Sequence, residues 1–247
     1  MTTPFANFYG CLAILIWSFC PLAALFLNRL PVFEVSALTL CLSGALSGII
    51  VALKKERVSS KCRADQFILS AILLFINHIS YLLAFHYIPP EVAELCYYTW
   101  PFFLLLQLSF FLHRSFHMVH LLSLTLGFAA LCFLMPPSAT TFTPRFSFGL
   151  FLALTAAFCW SSYQTLSLRQ RDYPPEIIGL QCGVAGLVAL FLHMSAETFI
   201  APNFTEWVAL SCIGFGAIGC ALYFWRMAIR KGNIYLLSTL SFFIPIL

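Results

Sequence analysis

Charge is scarce in this chain. Lys, Arg, Asp and Glu make up 9% of its 247 residues and apolar types 61%, whereas a soluble domain is roughly 25% charged. With a mean hydropathy of +0.93, there is too little polar surface to cover a particle in water, so lipid must solvate most of the chain. Alternating apolar and polar stretches are missing as well, which argues against a membrane barrel. The N-terminus, MTTPFANFYG, has no Lys or Arg before the first apolar run. It therefore lacks the basic leader of a cleaved signal peptide, and the first helix is expected to stay. No C-x-x-C occurs among the ten cysteines. Nine of them (11, 20, 41, 96, 132, 159, 182, 212 and 220) fall within apolar runs and read as small packing residues. Only Cys62 lies in a loop, and a basic one.

What the sequence does have is apolar runs of membrane-spanning length, which as isolated helices need about 18 to 20 residues. They lie near 6–27, 32–53, 67–88, 91–112, 117–135, 147–168, 176–195 and 205–229, with a ninth beginning at Ile234. Backbone polar groups in hydrocarbon must be satisfied internally, so each run is expected to be a helix. Basic residues mark the cytoplasmic side of short loops. With the N-terminus inside, Lys54, Lys55, Arg57, Lys61, Arg63, Arg114, Arg169, Arg171, Arg230 and Lys231 all fall inside, and Arg29 and Arg145 outside. Arg226, one turn before Arg230, can reach the same inner surface by snorkelling. The net charge of +4 is thus a signal of topology and does not point to nucleic acid.

The chain also repeats itself at an offset of about 143 residues. AILIWS at 13–18 answers AAFCWS at 156–161, Pro31 answers Pro174, Tyr81 answers Tyr223, and Pro101 answers Pro245. A five-helix unit used twice must insert in opposite senses. The loops agree: KKERVSSKCR is basic and its counterpart SAETFIAPNF is not, while IPPE lacks positive charge and its counterpart RKGN carries two. The expected fold is an all-α integral membrane protein, an inverted repeat of two five-helix units over 1–137 and 146–247. Inverted repeats with proline-broken helices mark alternating-access transporters, with the solute site near the midplane at the repeat interface; Pro101 and Pro245 are the expected hinges.

These residues resemble the drug/metabolite transporter superfamily with its paired EamA-type domains. Trp17 and Ser18, the A-x-C-W-x-x-Y of Ala157, Cys159, Trp160 and Tyr163, and the Y-x-x-x-F-x-Y-I-P of Tyr81, Phe85, Tyr87, Ile88 and Pro89 carry the resemblance. So does the Y-x-W-x-x-A-x-x-x-G of Tyr223, Trp225, Ala228 and Gly232. YYTWP is further similar to the N-Y-L-W-P run of the aromatic amino acid exporter branch: Tyr98, Trp100 and Pro101 match, while Tyr97 and Thr99 depart from it. The resemblance implies ten helices. The second unit then reads as truncated, giving about nine, and an inactive remnant stays among the alternatives.

Candidate solute-binding residues come from polar groups at bilayer depth, which are costly there and are functional candidates by default. In the fourth run, Pro101 frees the carbonyl four residues earlier, so that part of the helix should face protein or water. Tyr98 and Trp100 could there stack a planar solute and hydrogen-bond it; the bland alternative is an interfacial belt. The third run holds Asn77, His78 and Tyr81. His78 could bind solute or relay a proton, or it could tie two helices together. Trp160, Tyr163, Gln164 and Ser167 share one polar face that should line the interior, and Trp17 is the repeat partner of Trp160. Glu94 is either a second proton-coupling candidate or interfacial.

Three patterns fail in context. GFGAIG at 214–219 fits a dinucleotide fingerprint but lies in an apolar helix with no preceding strand, so its glycines should serve close helix contact. His113, His117 and His120 could face a metal, but no other ligand cluster supports them. NFT at Asn203 is a glycosylation sequon that matters only in a secretory compartment. No metal and no cofactor is expected.

The function expected is transport of a small amphipathic solute by alternating access. The resemblance implies amino acid export, and a nucleoside-bearing metabolite such as S-adenosylmethionine is the alternative. The expected partners are that solute and the lipid bilayer, with no nucleic acid and no assigned oligomeric state. The expected location is a bacterial inner or plasma membrane.

Overall fold

A computed structural model describes residues 4–54, 63–113, 117–134, 143–170 and 173–244. In chain order they form α1 (Pro4–Ser18), α2 (Cys20–Ala24), α3 (Val32–Lys54), α4 (Ala64–Ala84), α5 (Pro90–Tyr97) and α6 (Trp100–Leu112). There follow α7 (Met118–Leu134), α8 (Pro144–Arg169), α9 (Ile177–Ala196), α10 (Phe204–Ser211), α11 (Leu222–Lys231) and α12 (Ile234–Leu240). A π-helical stretch, Cys212–Ala221, joins α10 to α11. No strand occurs among the described residues, and the fold is all-α.

Among the described residues, seven helical stretches are long and apolar enough to cross a membrane: Phe5–Leu27, Val32–Leu53, Ala64–Ala84, Pro90–Leu112, Pro144–Arg169, Ile177–Ala196 and Phe204–Lys231. Met118–Ala130 and Ile234–Phe243 are shorter apolar helices. Each apolar run of the sequence is thus mainly helical where it is described. Pro245, and with it the second expected hinge, lies outside the described residues, as do Lys55, Arg57, Lys61, Cys62, Arg114 and Arg171. Large apolar side chains such as Phe110, Phe133, Phe191, Met194 and Phe204 stand more than 70% exposed, as a lipid-facing surface requires.

The third run ends earlier than its apolarity suggests. Pro89 and Pro90 disfavour helical backbone just before them, so α4 stops at Ala84 and residues 86 and 87 form turns back to Leu83 and Ala84. The fourth run is broken rather than kinked. Thr99 turns its amide (3.1 Å) and its hydroxyl (2.6 Å) onto the Cys96 carbonyl, and the amide of Phe102 closes on Thr99 at 3.0 Å. Proline can occupy the first turn of a helix because its missing N–H would be unpaired there anyway, and Pro101 therefore starts α6 instead of bending a continuous rod.

The chain divides into two compact units, Met1–Phe75 with Ser167–Leu247, and Ile76–Leu166. In the first, α3 lies along α9 and the π-helical stretch, and α1 along α11. Small residues make the α3–α9 seam: a Cβ on Gly183 would stand 3.1 Å from the Gly44 Cα, and one on Gly186 would stand 2.7 Å from Cys41 Sγ. In GFGAIG, a Cβ on Gly214 would meet Leu42 at 2.8 Å and the Thr39 carbonyl at 3.0 Å. Those glycines therefore allow close helix contact. Widening to π geometry disturbs the regular i to i−4 ladder, and side chains serve two carbonyls of that stretch. Trp17 Nε1 donates to Ala217 at 2.9 Å, and Ser43 Oγ to Ile218 at 3.2 Å.

At one end of this unit carboxylates hold backbone amides. Glu197 accepts from the first-turn amides of Phe33 and Glu34, both at 3.1 Å, and Glu34 accepts from Ile200 at 3.0 Å. Arg29 is bidentate to Glu206, at 2.8 and 2.6 Å. That hydrogen bond, set against desolvation, raises the Arg29 pKa. Asn203 of the sequon caps α10, accepting from Glu206 at 2.9 Å while the Glu206 carboxylate accepts from the Asn203 amide at 2.7 Å.

The second unit is built on Ala84, Ile88 and Ala93 packed with Phe146, Leu152 and Ala153. Gln107 ties α6 to α8: its amide nitrogen donates to Ser161 (3.1 Å) and Ser162 (3.0 Å), and its oxygen accepts from Thr165 at 3.0 Å.

Candidate functional site

The Ile76–Leu166 unit gathers most of the residues singled out in the sequence. Asn77 of α4 donates from its amide to Tyr97 Oη (3.3 Å) and to the Ala156 carbonyl of α8 (3.0 Å). The second bond fixes the depth of α4 against α8. One turn on, Tyr81 donates its hydroxyl to the Glu94 carboxylate. Glu94 therefore points at α4 and belongs to a half-buried pair, whereas an interfacial role would aim it at water.

Rings follow the same two contacts. Tyr81 packs on Tyr97 at 4.8 Å between centroids and on Phe85 at 4.8 Å, and Tyr97 meets Tyr98 at 6.2 Å. A second group joins Trp100 to Trp160 edge-on at 6.4 Å, and Trp160 stacks on Tyr163 at 5.8 Å and 20°. The break between α5 and α6 separates the two groups, because Tyr97 ends one helix and Trp100 begins the next.

Burial sorts the roles. Tyr98, Trp100, Trp160 and Tyr163 are buried, and so is Pro101. An interfacial belt would leave these rings exposed to headgroups. Asn77, His78, Tyr81, Glu94 and Tyr97 are half-buried. Gln164 is wholly buried, and neither its amide nitrogen nor its oxygen has a hydrogen-bond partner. An unpaired buried amide is expensive, and it marks a place where an absent polar group would fit. With its stacked rings, aimed hydrogen-bond groups and one carboxylate, the arrangement suits a planar solute with polar edges.

Not every candidate joins this group. Trp17 belongs to the other unit, where its indole is engaged with Ala217 and tilts on Trp225 at 5.2 Å. Of the histidine trio, His113 takes a left-handed conformation (φ 48°) at the end of α6, while His120 Nδ1 accepts from the His117 backbone amide at 3.2 Å. No group of metal-ligating residues forms among the described residues. Sequence reasoning passed over Gln107 and Tyr97. Gln107 is a lone amide within FLLLQLSFF, and the cost of a polar group at that depth was the signal available.

An all-α chain with seven candidate spans among its described residues, carrying a buried aromatic and amide cluster on broken helices, is an integral multi-pass membrane protein of the transporter class. It matches the EamA-like transporter family over residues 4–135 and 147–247, and it belongs to that family. The aromatic amino acid exporter YddG of Ancylobacter novellus is 29% identical to it over 251 residues, covering all of this chain and 87% of that protein. A solved crystal structure superimposes with a TM-score of 0.89 at 27% identity, covering 99% of this chain and 86% of the other.

Proposed function

We propose that this transporter exports an amino acid with an aromatic side chain by alternating access between two inverted repeats, 1–137 and 146–247, with its N-terminus in the cytoplasm of a bacterium. The solute ring lies against Tyr98, Trp100, Trp160 and Tyr163, and its polar edge meets Asn77, His78, Tyr81 and the Gln164 amide. Pro101, by breaking the helix between Tyr97 and Trp100, is the hinge. Glu94 and His78 carry the coupling proton, Glu94 exchanging it across the Tyr81 hydroxyl. The observation that carries the proposal is the Gln164 amide, unpaired and fully buried one turn beyond Trp160. The name of the Ancylobacter relative supports the choice of solute.

A second solute class is favoured by the Glu94 carboxylate, which suits a cationic ligand such as the sulfonium of S-adenosylmethionine. Proteoliposomes given labelled tryptophan and labelled S-adenosylmethionine in parallel separate the two. Tryptophan flux that unlabelled S-adenosylmethionine does not inhibit is the expected result. Flux of the sulfonium alone overturns the amino acid assignment.

A further inference from the structure

The Met1–Phe75 and Ser167–Leu247 unit buries a guanidinium that pairs with no carboxylate among the described residues. Arg226 is 1% exposed within a membrane span. Its Nη1 donates to Ser167 Oγ at 2.8 Å and its Nη2 to the Gln170 carbonyl at 3.2 Å, while the buried Nε has no acceptor. The carboxylates found in ion pairs among the described residues belong to other partners: Glu206 to Arg29, Asp65 to Arg63, and Glu34 and Glu197 to His193.

Gln170, the residue Arg226 touches, has the complementary defect. Its Nε2 donates to the Gln66 carbonyl (3.3 Å) and to Ser70 Oγ (3.2 Å), but its Oε1 is buried and accepts nothing. One contact pair therefore presents an unused cationic donor and an unused neutral acceptor. Guanidinium forks match carboxylates in shape and charge, and a bare amide oxygen suits an ammonium group. Burying a charge in a membrane is costly, and no carboxylate among the described residues offsets that cost for Arg226.

Arg226 also lies four residues before Arg230, about 6 Å along the helix, hence one turn in from the basic end of α11. A solute entering from that face meets it early.

We infer that Arg226 and Gln170 receive the zwitterionic head of an α-amino acid, Arg226 taking the carboxylate and Gln170 Oε1 the ammonium. The inference rests on the transporter reading and narrows its substrate class to α-amino acids, whatever their side chain. No covalent step is involved.

The test is thermal unfolding of the full chain in detergent with four ligands: tryptophan, tryptamine without a carboxylate, indole-3-propionate without an ammonium, and leucine without an aromatic ring. A ligand at about ten times its Kd raises Tm by roughly 3–5 °C in a chain of this size. In the parent, tryptophan should give that rise and the two one-charge analogues less than half of it. Arg226→Met should lose the advantage of tryptophan over tryptamine. Gln170→Leu should lose its advantage over indole-3-propionate. Arg226→Met should also fold, because methionine fills much of the same volume and removes a charge that is costly to bury, and among the described residues Arg226 bonds only Ser167 Oγ and the Gln170 carbonyl. The Gln170 carbonyl would keep the Tyr173 amide, at 3.1 Å. Equal shifts for all indole ligands in the parent overturn the inference even if no variant folds, and so do variants that discriminate as the parent does. A parent stabilised by leucine and not by tryptophan supports the head site and contradicts the aromatic side-chain assignment, so the two failures are distinguishable.

Discussion

Replacing Gln164 by Leu should stabilise the protein and impair it at the same time. Both polar atoms of the Gln164 amide are buried without partners. Leaving a buried group unpaired costs about 1–3 kcal/mol in soluble proteins, whereas polar contacts in membranes average nearer 0.6 kcal/mol. Two such atoms together suggest about 1–2 kcal/mol of relief, since leucine fits the same helical position at similar volume. In a chain of 150–250 residues this corresponds to a rise in Tm of roughly 3–6 °C. If the amide instead serves the solute, one lost hydrogen bond of about 0.5–1.5 kcal/mol reduces flux at low substrate roughly 2- to 13-fold. The assay pairs thermal unfolding in detergent with tryptophan flux in proteoliposomes at matched protein density. Gln107→Leu is the control of opposite sign, because it removes three hydrogen bonds, those with Ser161, Ser162 and Thr165, and should lower Tm. A Gln164→Leu protein less stable than the parent, with unchanged flux, would show that the amide has a structural partner and would refute the reasoning.

Trp100→Ala should insert into membranes at the parental level yet lose most transport, because it removes one wall of the Trp100–Trp160 pair; membrane-fraction immunoblots beside flux decide it. Gly183→Leu should abolish recovery of folded protein by size-exclusion chromatography, since any Cβ there presses on Gly44. Gly48→Ala, with nothing within 4 Å of the new methyl, should be neutral or up to about 1 kcal/mol more stable. Glu94→Gln should keep exchange of solute across the membrane but lose its acceleration by an imposed proton gradient; gradient-driven uptake equal to the parent's removes Glu94 from coupling.

Much of the fold was legible because lipid imposes one rule throughout. Every run longer than a bilayer is thick must satisfy its own backbone, so apolar length alone located the helices. Helix ends followed local chemistry instead: Pro89–Pro90 shortened α4, and Thr99 together with Pro101 cut one expected span in two. The π-helical stretch at Cys212–Ala221 was not legible, because widening a helix leaves its apolar periodicity almost unchanged over ten residues. Within the candidate cluster, Asn77, Tyr81, Tyr98, Trp100, Trp160 and Tyr163 stand out in the sequence because they are aromatic or amide groups in apolar helices. Their pairing could not be read, since the Asn77–Ala156 and Trp100–Trp160 contacts join helices far apart in sequence. Trp17 shared the motif of Trp160 but is engaged with a carbonyl of the π-helical stretch, and motif symmetry gives no hint of that difference. Arg226 read as a snorkelling residue because Arg230 lies one turn away; only its burial in the folded chain separates a surface-seeking arginine from an enclosed one.

The most direct measurement is solute-protected thiol labelling in a variant lacking all ten native cysteines, with single cysteines returned at positions 78, 98 and 160. The account predicts that a water-soluble maleimide reaches these positions and that tryptophan slows its reaction at 98 and 160. No labelling at any of the three, or labelling indifferent to every amino acid tried, would mean that no solute meets these rings.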